Sequence, residues 1–168
     1  ERGRGEQGCG QESVSGPGAG GTVWSSDLSI HYPGPNPTAV VFVRLIPTGG
    51  QGIGTAPPER AILSMRRGQT LSVSDVIGEH FPEHEVAALV VESLAGSAGT
   101  SDIFVDSRTW TPTLQGEGTM GQGIPGSSRA DSSVPVVVPG LESSESFRTN
   151  LGLINLSLNQ RSTFGIEV

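Results

Sequence analysis

The chain has 168 residues, among them 25 Gly and 12 Pro, and carries a formal net charge of −7. An acidic balance with all ten basic residues Arg, and no basic run longer than Arg66-Arg67, argues against nucleic acid, whose binding needs clustered positive charge. No apolar run approaches the ~18–20 residues of a membrane span, no signal-peptide pattern is read, and a single cysteine excludes an intrachain disulfide.

This length suits one undivided all-β domain, large enough to bury on the order of 70% of the unfolded chain's surface. Glycine and proline are abundant but short of a low-complexity composition, as expected for many short strands joined by turns. Charged residues make up only 16%, and polar character comes from Ser, Thr, Asn and Gln, which suits an uncharged extracellular surface. A chain opening on Glu1 rather than Met is expected to be a processed or trimmed product.

Residues 1–22 read as a Gly-, Glu- and Ser-rich leader with little to bury, so order there requires a groove on its own domain or on a neighbouring chain. Val14 is its one sizeable apolar anchor, and Cys9, between two glycines, is a free thiol or an interchain bridge. These two residues are the candidate subunit contacts. From Val23 to Tyr32 apolar and polar residues interleave as in a strand, with Trp24 expected to cap the core and His31 to face outward. The Pro33 to Pro37 loop follows, then the β-branched run Ala39–Ile46, which predicts a central strand buried on both faces or nearly so. Ala61–Met65 is a short strand before the Arg66–Gln69 turn.

Val73, Val76, Ile77 and Phe81 recur at helical spacing and predict one short helix over about 74–81, capped by Ser72 or Ser74 and ended by Pro82. Val86–Glu92 is a strand. Asp102–Trp110 alternates, with Ile103, Val105 and Ser107 on one face and Trp110 exposed at the strand end. Residues 112–132 read as a Gly-rich stretch. Val134–Gly140, with its two prolines, suits an edge strand. The last stretch, 146–168, is a weak repeat of 23–46: an offset of 123 places Phe147 on Trp24, Asn150 on Asp27 and Leu151 on Leu28. The terminal pair of strands is therefore expected to lie beside the first pair, each pair a hairpin in one sandwich.

None of the chemical motifs has its structural context. Gly16–Gly21 and Gly116–Gly121 satisfy G-x-G-x-x-G, but neither lies between a strand and a helix, so no dinucleotide site is expected. The cluster Glu79 to Glu85 holds His80 and His84 among three carboxylates, yet Pro82 breaks the register that would align the imidazoles on a metal, and a solvated loop is expected. Asp27, Asp102, Asp106 and Asp131 lack calcium-loop spacing. There is no G-x-S-x-G elbow for a nucleophile. The sequence thus predicts no enzyme, no cofactor and no metal. Trp110, Tyr32 and Trp24 are the candidates for stacking against a glycan.

The pattern Gly20-Gly21-Thr22-Val23-Trp24-x-x-Asp27-Leu28, with Phe147–Asn155, Gly68-Gln69-Thr70 and Asp75–Gly78, resembles a domain of large secreted and cell-surface bacterial proteins. The resemblance spans about residues 14–168. Ser25-Ser26 stands where Arg-Thr would be expected. The resemblance implies a β-rich, modular, extracellular protein with no catalytic site.

The resulting expectation is an all-β sandwich of about eight to ten mostly antiparallel strands with one short helix, residues 23–168 forming the domain and 1–22 its leader. The function expected is a secreted or cell-surface structural or adhesion module that contacts a neighbour through its leader. Its partners would be further copies of itself or another surface protein. The alternative is a carbohydrate-binding module.

Overall fold

A computed structural model of the chain describes residues 9–18, 21–47, 59–94, 103–113 and 116–126, with Thr163 and Gly165. The strand Val134–Gly140 and the repeat over 146–168, apart from those two exposed positions, lie outside the described residues. Nine strands and one helix are seen among the described residues: β1 (Cys9–Val14), β2 (Gly16–Pro17), β3 (Val23–Tyr32), β4 (Thr38–Pro47), β5 (Arg60–Arg66), β6 (Gln69–Val73), α1 (Val76–His80), β7 (Val86–Leu94), β8 (Phe104–Pro112) and β9 (Thr119–Pro125). They form two antiparallel sheets, one ordered β1-β7-β4-β5, the other β2-β3-β8-β9 with β6 also on β3. The chain is an all-β sandwich.

Period-two alternation builds the core from both sheets. Leu28, Ile30 and Tyr32 of β3 face Val41, Val43 and Leu45 of β4, with Leu89 and Val91 of β7 beside them, all buried. Each such side chain contributes roughly 1.5–3 kcal/mol by leaving water. β4 is central, between β5 and β7, but it is fully buried on one face only. Val40 is 38% exposed, and Phe42, Arg44 and Ile46 are half-buried. That outer face is held by an Arg44–Glu92 ion pair and by the Arg60 guanidinium 5.1 Å from the Phe42 ring centroid.

β3 and β4 do not form the expected hairpin. They lie in different sheets, and the Pro33 to Pro37 loop is an arch between them. Fixed φ at three prolines precludes the tight turn a hairpin needs. The β5–β6 turn makes a second arch, entered with Gly68 at φ 73°. The two are joined where Arg67 N–H donates to Pro37 O at 2.9 Å and Gly68 N–H to Tyr32 O at 2.8 Å.

The helix is shorter than predicted, and its cap is neither Ser72 nor Ser74. Asp75 stands at the N-cap in the left-handed region (φ 45°) and makes no side-chain cap bond. Its own N–H donates instead to Asp27 Oδ1 of β3 at 3.1 Å. Val76, Ile77 and Phe81 are buried as their spacing predicts. The stretch read as Gly-rich contains strand β9, paired with β8 from Asp106↔Pro125 to Pro112↔Thr119, because a backbone ladder needs no apolar pattern.

The described part of the leader belongs to the sandwich. β1 pairs with β7 from Cys9↔Val91 to Val14↔Val86, and after Ser15 the chain passes into the other sheet as β2, with Gly16 opposite Trp24. Residues 9–17 thus run as one extended segment across both sheets.

Candidate functional site

Two polar constellations lie where the leader meets β3 and β8. One is inside the sandwich. The inner face of β8 continues from Val105 through Ser107, Thr109 and Thr111, so an apolar strand becomes a row of hydroxyls. Ser26 of β3 sits opposite Thr109 in the register and is fully buried. Its Oγ accepts the Val14 N–H at 2.7 Å, donates to Val14 O at 2.9 Å and lies 2.8 Å from Thr109 Oγ1. A hydroxyl has one proton and two lone pairs, so this set saturates it if Thr109 donates. Ser26 therefore fastens the end of β1 to the opposite sheet.

The neighbouring hydroxyls are not so served. Ser13 of β1, Ser107 and Thr111 are buried and have no hydrogen-bond partner for their side-chain oxygens. A buried hydroxyl without a partner costs roughly 1–3 kcal/mol. The seam between β1 and β8 is polar and incompletely bonded.

The second constellation centres on Asp27, one residue on and facing outward. Its Oδ2 accepts the Trp110 indole N–H at 2.8 Å while Oδ1 takes the Asp75 N–H. Ser15 Oγ donates to Asp75 Oδ2 at 3.2 Å, which ties the β1–β2 junction to the same node. Gly78 leaves room for this: a Cβ there would stand 3.0 Å from Asp75 Cγ and 3.2 Å from Ser15 Oγ. The arrangement holds α1, β3, β8 and the leader together. Its two carboxylates each have a structural partner, Asp27 on both oxygens and Asp75 through Oδ2, while Asp75 Oδ1 is buried without one.

Around Trp110 the outer face of β8 is flat. Gly121 and Gly123 stand opposite Trp110 and Arg108, and a Cβ at Gly121 would lie 2.7 Å from Trp110 Cβ. The Arg108 guanidinium lies 5.9 Å from the Trp110 ring centroid. Further along, His31 takes the outward position expected of it, with Nδ1 3.0 Å from Thr70 Oγ1 and its ring stacked on Phe104, which is 64% exposed.

The three aromatic candidates for a glycan platform are not brought together. Tyr32 is wholly buried and donates its hydroxyl to Asn36 O at 3.2 Å, so its ring is out of reach of a glycan. Its alternation with Leu28 and Ile30 places it on the inner face. Trp24 is half-buried at the start of β3, close against Gly18, whose added Cβ would lie 2.6 Å from Trp24 Cδ1. Trp110 is half-buried rather than freely exposed, with its one donor engaged. Val14 lies half-buried against its own chain, and Cys9 holds the register position opposite Val91.

In the Glu79–Glu85 cluster, His84 Nε2 lies 3.1 Å from Glu59 Oε1 and His80 stands edge-on to Phe81. Among the described residues no three His, Cys, Asp or Glu side chains converge on one ion position. Among those residues, too, no helix is long and apolar enough to cross a membrane.

No family model matches the chain, and neither does any curated protein. Among solved structures, the fold is similar to that of the Thermotoga maritima protein 1070, with a TM-score of 0.50 and 11% identity over 76% of this chain and 96% of that one. At that identity the likeness speaks for the fold alone.

Proposed function

We propose that this chain is a non-enzymatic structural or adhesion module of the extracellular space, assembling with further copies or with another surface protein. One observation carries the reading: the polar leader, with almost no apolar anchor, contributes β1, which among the described residues is a strand on the edge of a sheet. Edge strands pair readily with other chains through backbone hydrogen bonds. The low charge content and the resemblance of the Trp24–Leu28 pattern to domains of secreted bacterial proteins support the setting. Asp27 engages both oxygens in holding elements together, a structural use of a carboxylate. Light scattering on the full chain over a concentration series tests this. The expected mass rises above that of one chain, and a monomer throughout would sink the reading. Deleting residues 1–22 would not serve, because it removes two strands.

A second reading rests on Trp110 and its glycine floor at Gly121 and Gly123, a flat polar face suited to stacking a sugar ring. Glycan-array binding that is lost in Trp110→Ala and kept in Trp110→Phe would favour it over assembly.

A further inference from the structure

We infer that residues 9–17 form an exchangeable segment, and that copies of this chain assemble by placing it in one another's β7 edge. The inference rests on the assembly reading and names its surface and its partner. The groove wants a strand. Without β1, the backbone edge of β7 and the buried Ala87, Leu89 and Val91 beside it would meet water. The strand that fills it has little that binds it to its own chain in particular. Gln11 and Ser13 hold the register positions opposite Leu89 and Ala87, where apolar residues would anchor a permanent strand. Ser13 is fully buried and its hydroxyl has no partner. What holds the segment is a backbone ladder from β1 to β7, the pairing of β2 with β3, the Ser26 clasp on Val14, Ser15 N–H donating to Glu85 O at 2.8 Å, and Ser15 Oγ donating to Asp75 Oδ2 at 3.2 Å. A second copy's segment makes every one of these contacts equally well. Exchange has to open the turn to β3, which is closed by Gly18 N–H donating to Thr22 O at 2.7 Å and has Gly21 at φ 79°, a conformation glycine leaves at little cost. Exchange that does not close into a dimer propagates as a chain of subunits.

The test uses the full chain with Cys9→Ser, Glu12→Cys and Ala88→Cys, since Glu12 and Ala88 are opposite in the register. A short bis-maleimide is added at high protein concentration, and the products are separated under denaturing conditions beside the two single-cysteine controls. Interchain products at least about ten-fold above those controls, growing with concentration, are expected. Closure within single chains alone, while light scattering reports large species, overturns exchange and leaves assembly through another surface. Closure within single chains together with a monomeric mass overturns both. Absence of any link specific to the double variant also overturns the inference, because positions 12 and 88 are then not opposed.

Discussion

The two ends of the sandwich are held by different physics. At one end, Leu28, Ile30, Tyr32, Val41, Val43, Met65, Ile77 and Phe81 pack into a continuous apolar core. At the other, where β1 crosses β8, the facing residues are Ser13, Ser26, Ser107, Thr109 and Thr111. Apolar burial is non-directional, so the first end gains from every side chain it removes from water. A hydroxyl seam gains only where donors and acceptors meet, and here one node does so while three oxygens do not. The domain is therefore firmest away from its leader, and the leader is secured at a few points.

The largest test of that contrast is Phe81→Ala, which should destabilise the fold by about 3–5 kcal/mol in denaturant unfolding, the usual range for a buried aromatic. A loss under ~1 kcal/mol would place Phe81 outside the core. Next comes Asp27→Ala, which orphans the Trp110 indole and the Asp75 N–H together. It should cost roughly 2–3 kcal/mol and shift tryptophan fluorescence, and an unchanged spectrum would deny the Asp27–Trp110 bond. Ser26→Ala should cost about 1–2 kcal/mol and loosen β1 selectively, visible as faster amide exchange at Val14 with β4 unaffected. Smallest is Ser13→Ala, expected to be neutral or stabilising by up to ~1 kcal/mol because it removes an orphaned hydroxyl. A clear destabilisation would show that Ser13 has a partner.

The apolar end is the part that could be read from the sequence. Alternation in Val23–Tyr32 and Ile103–Ser107, and the helical spacing of Val73, Val76, Ile77 and Phe81, place inner faces correctly because burial leaves a periodic trace, whereas the continuous apolar run Ala39–Ile46 hides the half-exposed outer face of β4. The polar end leaves none. Cys9–Val14 and Thr119–Pro125 are strands by virtue of their ladders, which any sequence free of proline at the bonded positions can join. At Pro33–Pro37 the three prolines speak against a tight hairpin turn, but alternation does not, since it is the same whether the next strand pairs in its own sheet or crosses to the other. Tyr32 suggests a surface role by its residue type, although its place in the alternation puts it inside. Asp27 stood out within the Trp24–Leu28 pattern, but its partners Trp110 and Asp75 are far along the chain. Gly121, opposite Trp110, is a further signal, and it lies within the Gly-rich stretch 112–132.

Native-state hydrogen exchange across β1 and β4 tests the contrast most directly. The β7-paired amides of Cys9–Val14 should exchange through a local opening of much lower free energy than the amides of Val41–Leu45, which should open only with the whole fold. Equal protection in the two strands would contradict the account, for it would make the leader as permanent a part of the sandwich as its central strand.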